Sequence, residues 1–277
     1  MQAIPTPTTA PIHLRIADDI RMSIEAGRLS PGDSLPSIAQ LGERWRCSSG
    51  SVRAAIALLK TQGLVSTSRG RAPTVRQTPH RTVRSSTRHQ VEKDAALTTL
   101  DIRKSTGESE TNLGIPITEL RFEATYETIT AGELSSIFAI DPTETLLKRT
   151  YSHSTTNNTL LSSSTSFLPM RLIEGNPALL DEANEPWPGG TMHQLSTVGI
   201  EVMQVKDYVT ARAASTVEQQ LWSTQDGIPF LCCRRVSIDR LGIVVEVSDS
   251  VYPADRAELE FITDLQAWSN TEREGMN

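Results

Sequence analysis

Apolar residues recur at helical spacing in three successive segments at the start of the chain. In the first, Ile12, Ile16, Ile20 and Ile24 stand four positions apart, and Gly27 follows them. The second has apolar residues at positions 38, 41 and 45, and the third at 52, 55, 56 and 59. A period near 3.6 residues is typical of amphipathic helices. The pattern therefore predicts three helices that share one small core.

The pattern changes to that of strands over residues 64–76. Residues 64–68 have strand composition, residues 73–76 can return as a second strand, and Arg69-Gly70-Arg71 stands between them. Two such runs around a glycine predict a hairpin. Three helices followed by a hairpin make a winged helix-turn-helix domain, and the tip of its wing would carry two arginines.

Strand and helix patterns alternate in the second half of the chain. Strands are predicted at residues 121–129, 146–152, 160–168, 202–211, 230–239 and 243–252, helices at 131–140, 192–197 and 217–222, and turns at 156–159 and 240–242. Mixed elements of this kind favour an antiparallel sheet with helices packed on it. The predicted fold class is α+β, with an N-terminal winged helix-turn-helix domain and a C-terminal antiparallel-sheet domain.

A polar segment separates the two patterns. Residues 77–118 are rich in Thr, Ser, Arg and Glu, and residues 105–110 have the composition of a flexible connection. Within this segment, residues 90–102 could form either a strand or a short helix packed on the second domain. We therefore divide the chain into a winged-helix domain (1–76), a linker (77–117), a sheet domain (118–265) and a tail (266–277).

Charge is distributed unequally along the chain. Residues 1–90 hold 13 Lys and Arg against 5 Asp and Glu, whereas residues 91–277 hold 14 against 28. An asymmetry of this kind indicates a nucleic-acid partner for the basic part. The acidic remainder should repel DNA, so we expect it to have a different role.

The composition, with 38% hydrophobic and 22% charged residues, is ordinary for a globular protein. No apolar run approaches the ~20 residues that cross a bilayer, and the N-terminus lacks a signal-peptide pattern. We expect a cytoplasmic protein with no membrane partner. Cys47 stands alone, and Cys232 and Cys233 are adjacent, so their spacing indicates neither a disulfide framework nor a metal site. We expect no metal and no cofactor, and a redox role for the adjacent pair stays open.

The residues that would meet DNA follow from the winged-helix prediction. The outer face of the third helix enters the major groove, and the wing reaches the minor groove or phosphates. The candidate DNA contacts are Ser37, Ser48, Ser49, Ser51 and Arg53 near the helix starts, with Arg69, Gly70 and Arg71 in the wing. Taken singly, the serines could merely cap helices and the arginines lie on a solvated surface. The order and spacing of the whole set favour DNA binding.

Residues 11–76 resemble the winged-helix domain of GntR-type bacterial transcription regulators. The matching motifs are Pro-Gly-Asp-x-Leu-Pro-Ser at 31–37, Ser48 with Ser-Val-Arg-Ala-Ala at 51–55, and Gln-Gly-Leu-Val at 62–65 before the wing. The resemblance implies binding to a double-stranded DNA operator. The family often has arginine where this chain has Ala39 and Ser49, so an operator sequence does not carry over from relatives.

Residues 118–265 resemble the UTRA effector domain of the HutC subfamily, whose fold is related to chorismate lyase. The resemblance rests on two hairpins, Leu-Lys-Arg-Thr-Tyr at 147–151 with Thr-Ser-Phe-Leu-Pro at 165–169, and Arg-Arg-Val at 234–236 with Val-Glu-Val-Ser at 245–248 and Tyr-Pro-Ala-Asp-Arg at 252–256. It implies a pocket for a small-molecule effector.

The resemblance also implies roles for single residues. Arg149 would pair with an anionic group of the effector, Glu246 would accept hydrogen bonds, and Tyr252 would line the same pocket. Tyr151 and Ser164 stand where many relatives have arginine and glutamate, which weakens the inference of a sugar phosphate. The alternative for Arg149 and Glu246 is a pair of surface strand residues in cross-strand contacts.

These features lead to one main hypothesis and two alternatives. The main hypothesis is a homodimeric transcriptional regulator, by its relatives a repressor, that binds a palindromic operator and responds to a small-molecule effector. One alternative is an effector-independent DNA-binding repressor, for example of plasmid transfer or copy functions. The other is an enzyme, which we do not expect, because no nucleophile and base, metal spacing or phosphate loop is present.

Overall fold

The N-terminal domain consists of three helices and a two-stranded hairpin. The computed structural model describes residues 10–68, 71–77, 81–105, 120–156, 160–224 and 227–265. The helices are α1 (Ile12–Glu25), α2 (Ile38–Trp45) and α3 (Ser49–Thr61), and the antiparallel strands are β1 (Val65–Ser66) and β2 (Thr74–Val75). These elements have the predicted order, and the strands are shorter than the sequence pattern suggested.

The core of this domain is formed by the apolar positions that the periodicity predicts. Ile16, Leu41, Val52 and Leu59 are each at most 1% exposed. Val65 and Val75, which are opposite each other in the hairpin, join the same cluster. The wing is therefore anchored to the helices by its own two valines, and burial of these side chains stabilises the domain as one unit.

The C-terminal domain is built on a six-stranded antiparallel sheet. Its strands are β4 (Leu120–Thr130), β5 (Thr145–Thr155), β6 (Leu160–Pro169), β7 (Val202–Ala213), β8 (Pro229–Asp239) and β9 (Val244–Pro253), in the spatial order β4-β5-β6-β9-β8-β7. The long connection from β6 to β7 places β9 next to β6 at the centre of the sheet. All six predicted strands are present.

Both faces of this sheet are covered. Neighbouring strand residues point to opposite faces, so Leu146 and Leu147 of β5 belong to different clusters. Leu146 packs with α6 (Ser135–Phe138), and Leu147 packs with α7 (Met170–Ile173) and α8 (Gly190–Ser196). The remaining short helix, α9 (Thr216–Leu221), precedes β8, and short 3-10 turns lie at Gly132–Leu134, Pro177–Leu180 and Glu182–Asn184.

The segment predicted as a linker has structure of its own. β3 (Thr82–Ser85) pairs in parallel with β10 (Ala257–Glu260), and α4 (Arg88–Ala96) and α5 (Leu100–Ser105) follow it. Of the two alternatives for residues 90–102, the structure has helix. Since β3 pairs with the last strand and α4 packs against α8, this segment is attached to the C-terminal domain. The division of the chain into four parts stays a prediction.

Some sequence predictions fall on parts of the chain outside this description. Arg69 and Gly70 at the wing tip, residues 157–159 of the predicted turn, residues 106–117 of the linker with 118–119 of the sheet domain, and the tail at 266–277 lie outside the described residues. In the part that the structure describes, no helix has the length and apolar character that crossing a membrane requires.

Candidate functional site

Two of the candidate serines in the N-terminal domain cap helices. The hydroxyl of Ser37 accepts the backbone N–H of Gln40 at 3.2 Å, while the Gln40 side chain accepts the backbone N–H of Ser37 at 2.8 Å. Ser48 caps α3 by accepting the N–H of Ser51 at 3.3 Å, and the hydroxyls of these two serines are 3.2 Å apart. These bonds fix where the two helices begin.

The first turns of α3 present an exposed polar surface. Ser49 and Arg53, four residues apart, lie on the same side of the helix and are exposed, as is Arg71 in the wing. Between α2 and α3, Arg46 adopts a left-handed backbone with φ of 48°. The backbone N–H of Cys47 then returns to the carbonyl of Gly42 at 3.0 Å, which closes the tight turn that sets the angle of α3.

A cavity of about 260 Å³ lies over one face of the C-terminal sheet. Its floor is formed by the two central strands, β6 and β9. Six cavity-lining positions on these strands are serine: Ser162, Ser163, Ser164, Ser166, Ser248 and Ser250. All of them except Ser163 share one face of the sheet, because alternate residues of a strand point to the same side. In the strand register, Ser164 is opposite Ser250 and Ser166 is opposite Ser248. Short side chains on neighbouring strands leave the space that the cavity occupies.

Four of the five predicted effector residues line this cavity. Tyr151, Ser164, Glu246 and Tyr252 are at its surface, on β5, β6 and β9. Arg149 is not among the lining residues and is 1% exposed. The structure therefore places Arg149 behind the cavity wall, in the layer below Tyr151.

Arg149 is held by polar groups from three elements. Its Nη1 donates to Oε1 of Gln194 at 2.5 Å, and its Nη2 donates to the hydroxyl of Ser166 at 3.1 Å and lies 3.5 Å from Oε1 of Glu246. The rings of Tyr126 and Tyr151 lie 5.9 and 5.7 Å from the guanidinium. Burial lowers the pKa of Arg149, but the oxygens of Tyr151 and Glu246 outweigh it and the pKa is raised, so the side chain stays charged.

Glu246 is the carboxylate at the centre of this network. Its Oε1 accepts from Ser166 at 2.5 Å and from Thr191 at 3.3 Å, and its Oε2 accepts from Ser237 at 3.3 Å. Together with the nearby Arg149, these donors compensate for the burial of the charge. Glu246 therefore lines the cavity with a carboxyl group whose two oxygens accept hydrogen bonds.

Glu185, in the connection from β6 to β7, is a second carboxylate that lines the cavity. Its Oε1 accepts from the hydroxyls of Tyr126 at 2.5 Å and Tyr151 at 3.0 Å, and from the Gln194 amide at 3.0 Å. Burial raises the pKa of Tyr126 to about 12 and raises that of Tyr151 further. Both phenols therefore stay protonated and donate hydrogen bonds to Glu185.

The linker helix α4 also contributes to the cavity, through Arg88 and Glu92. The adjoining wall is formed by Arg235 of β8, whose guanidinium makes a bidentate pair with Asp207 of β7 at 2.8 and 3.1 Å. Nε2 of His89, on α4, lies 3.7 Å from Asp207. A segment that leads from the N-terminal domain thus forms part of the cavity wall.

Comparison with known families gives two matches that together span both domains. The family described as bacterial regulatory proteins, gntR family, matches residues 12–75, and the UTRA domain matches residues 176–258. The chain therefore combines an N-terminal winged-helix domain of the gntR family with a C-terminal UTRA domain. The first match covers the helices and wing strands, and the second covers α8, β7–β9 and Glu246 of the cavity.

One solved structure shares this architecture, and others are similar to it in sequence at lower TM-scores. A GntR-family transcriptional regulator of known crystal structure is 22% identical, with 92% of this chain and 98% of that chain covered, at a TM-score of 0.67. PhnF from Mycobacterium smegmatis is 17% identical over 91% of this chain and all of the other, at a TM-score of 0.47. The C-terminal domain of histidine utilization repressor from Pseudomonas syringae pv. tomato is 18% identical over 53% of this chain and 99% of that domain, at a TM-score of 0.43. A comparison with curated proteins gives no match.

Sequence reasoning missed one whole side of the UTRA cavity. Glu185 and Trp187 come from the connection between β6 and β7, and Thr191 and Gln194 come from α8 within it. The sequence predicts a short helix at 192–197, and Pro-Trp-Pro-Gly-Gly at 186–190 indicates a turn, but neither signal indicates a site. Arg88 and Glu92 were placed in the linker and not in the cavity.

Proposed function

We propose that this GntR-type regulator is a repressor of the HutC subfamily that binds a palindromic operator as a homodimer, and that a small molecule in the UTRA cavity changes its affinity for DNA. The observation that supports this most strongly is the presence, in one chain, of an exposed recognition-helix surface and a polar cavity whose wall includes α4. Binding at the cavity that shifts α4 would alter the position of the DNA-binding domain.

For DNA contact, we propose the first turns of α3 and the wing. Ser49 and Arg53 point outward from α3, and Arg53 makes no ion pair within the described part of the chain. The hydroxyls of Ser37 and Ser48 are engaged in capping, so we assign them the positioning of the helices. Arg71, with the predicted Arg69 and Gly70, would contact phosphates or the minor groove.

For the dimer, we propose pairing through the outer edge of β7. This strand is 12 residues long, lies at the end of the sheet and exposes Met203 and Tyr208 by 57% and 58%. A long exposed edge favours pairing with another strand, and a second copy would satisfy it symmetrically. Tyr208→Glu should therefore give a monomer in analytical ultracentrifugation. Leu241→Glu, at an exposed hairpin tip, is the control that should leave the dimer intact.

The proposed function is tested first by selection of bound fragments from random duplex DNA. The full chain should enrich a palindrome with half-sites about 34 Å apart, or a multiple of that distance. On that operator, Arg53→Ala should weaken binding by about 1–3 kcal/mol if Arg53 contacts a base. Arg71→Ala should reduce the slope of log affinity against log salt concentration by about 1, the amount expected for one lost phosphate contact. Arg234→Ala, in an exposed pair of the UTRA domain, should change neither.

Two results would contradict parts of this proposal. If both Arg53→Ala and Arg71→Ala bound the operator as well as the wild type, the assignment of α3 and the wing as the DNA-contacting surface would be wrong. Operator binding that no small molecule alters, together with a melting temperature that none raises, would favour the effector-independent repressor.

A further inference from the structure

The chemistry of the cavity wall indicates which class of effector it accepts. We infer that the ligand is an uncharged, hydroxyl-rich small molecule, such as a free sugar or a sugar alcohol, and not a phosphate ester or a carboxylate. The inference rests on the proposed function, since it concerns the ligand of the same cavity. It departs from the sequence-based expectation that Arg149 pairs with an anionic group.

The charges around the cavity disfavour an anion. Three carboxylates, Glu92, Glu185 and Glu246, line it, against two guanidiniums, Arg88 and Arg235. The charge of Arg235 is balanced by its bidentate partner Asp207. With Glu246 counted together with its partner Arg149, the carboxylates of Glu92 and Glu185 outnumber the guanidinium of Arg88. An anionic ligand would therefore approach a small excess of negative charge.

Arg149 does not change this balance. It is covered by the ring of Tyr151 and neutralised by Glu246. Its Nη atoms already donate to Gln194 and Ser166. To bind an anion directly it would have to exchange these partners for the ligand, which would leave Glu246 buried beside a like charge.

The floor of the cavity supplies hydroxyl groups instead. Ser164, Ser248 and Ser250 line it, and within the described residues their side chains make no hydrogen bond. A serine hydroxyl both donates and accepts, whereas a carboxylate only accepts. A floor of free hydroxyls between two carboxylates matches a ligand that has many hydroxyl groups of its own.

The remaining walls of the cavity carry aromatic rings that can pack against the apolar face of such a ligand. Aromatic rings of Phe122, Trp187 and Tyr252 line the cavity and offer apolar surface to the C–H groups of a sugar ring. The volume of about 260 Å³ lies near the lower end of the range of ~300–1,000 Å³ that is usual for ligand sites. A cavity of this size suits a ligand as small as a monosaccharide or a sugar alcohol.

Thermal melting of the full-length protein tests the inference with matched probes. The panel consists of neutral hexoses, pentoses and hexitols, each beside its phosphate ester and its sugar-acid counterpart, at millimolar concentration. We expect a neutral member to raise the melting temperature and its charged counterparts to leave it unchanged, because a ligand stabilises only the state that binds it. Stabilisation by a phosphate or a sugar acid without its neutral parent would overturn the inferred class but leave an effector site in place. Stabilisation by no member would overturn the inferred class, while the effector-binding function would be overturned only if ligands of other classes also failed to raise the melting temperature.

Two serine variants then test whether the serines of the cavity floor contribute to ligand binding. With the neutral probe that binds, Ser164→Ala should weaken affinity about three- to tenfold, as expected for one lost hydrogen bond. Ser152→Ala is the control, because Ser152 is next to Tyr151 on β5 and points to the opposite face of the sheet. Equal affinity in the wild type and in Ser164→Ala would contradict the role of the serine floor.

Discussion

Arg76 and Asp255 form an ion pair between the two domains. Nη2 of Arg76, just after the second wing strand, donates to Oδ2 of Asp255, in the turn that follows β9. The side chains are only 10% and 6% exposed. Asp255 is three residues from Tyr252, which lines the cavity, so the pair connects the wing to the strand that carries part of the proposed effector site.

The first prediction is that Arg76 and Asp255 are energetically coupled. In a double-mutant cycle of Arg76→Ala, Asp255→Ala and the double variant, we expect a coupling of about 0.5–3 kcal/mol in the free energy of unfolding. Denaturant titration of the full chain measures it. Arg71→Ala, an exposed arginine of the same wing, should change stability by less than about 0.5 kcal/mol. Strictly additive single variants would show that the pair contributes nothing to the contact between the domains.

A second contact between the domains depends on a glycine. Gly227 has φ of 82°, and a Cβ built on it would lie 1.5 Å from the carbonyl oxygen of Thr61, the last residue of α3. No side chain can be accommodated there unless the two backbones separate. The end of the recognition helix is therefore in close backbone contact with the segment before β8.

Gly227→Ala should accordingly destabilise the protein more than a matched variant. Gly242→Ala is the control, because Gly242 has φ of 80° but no atom within 4 Å of the added Cβ. Both substitutions place alanine in the left-handed region, at a cost of about 1–3 kcal/mol. The additional loss in Gly227→Ala, measured by thermal or denaturant unfolding, reports the contact with Thr61. Equal losses in the two variants would mean that the domains do not touch at this position.

The sequence predicted the elements of both domains because their periodicity reflects burial. Ile16 and Ile20 of α1, and Val52, Ile56 and Leu59 of α3, recur at helical spacing because one face of each helix is in the core. The six strands were found for the same reason, since alternation follows the two faces of a sheet. Local pattern was therefore sufficient for the fold class and for most element positions.

The cavity could be predicted only in part. Tyr151, Ser164, Glu246 and Tyr252 were found through the resemblance, because they lie on regular strands. The burial of Arg149 depends on Gln194, which is 45 residues away in sequence and lies on α8. No local pattern encodes such a contact, so the sequence could not show whether Arg149 meets the ligand or lies behind it.

Asp207 gives a prediction for acid stability. Burial raises its pKa, but the nearby His89 and the bidentate hydrogen bonds from Arg235 outweigh burial and hold the pKa well below its usual range. A carboxyl group with a lower pKa in the folded state stabilises the protein above its unfolded pKa of ~3.9, and this contribution is lost as pH falls toward the folded pKa. The other titratable neighbours of the cluster are Cys233, also near Asp207, and Glu92, beside His89.

We therefore expect Asp207→Asn to be less stable than wild type at pH 7, and the difference to shrink as the pH is lowered from 5 to 3. Denaturant titration at several pH values measures it. Asp249→Asn is the control, because Asp249 makes a similar bidentate pair with Arg234 but is 36% exposed. An exposed pair should contribute at most about 1 kcal/mol. A difference for Asp207→Asn that did not depend on pH would contradict the assigned pKa.

The last prediction concerns Arg149 and Glu246, whose charges lie 3.5 Å apart beneath the cavity. Arg149→Met leaves Glu246 buried without its counter-charge, and Glu246→Gln leaves Arg149 in the same state. Each single variant should lose about 3–5 kcal/mol of unfolding free energy. The double variant, which removes both charges, should lose less than the sum of the two by about 1–3 kcal/mol. Denaturant unfolding of the full chain measures all four proteins.

A neighbouring pair on the same strand supplies the control for this cycle. Lys148 is next to Arg149 on β5 and pairs with Glu127, but on the opposite face of the sheet and with side chains 31% and 58% exposed. Its cycle should give a coupling below about 1 kcal/mol, because water screens the two charges. If the two cycles gave the same coupling, burial would not strengthen the Arg149–Glu246 pair. Arg149 would then be available to a ligand, and an anionic effector would be compatible with the cavity.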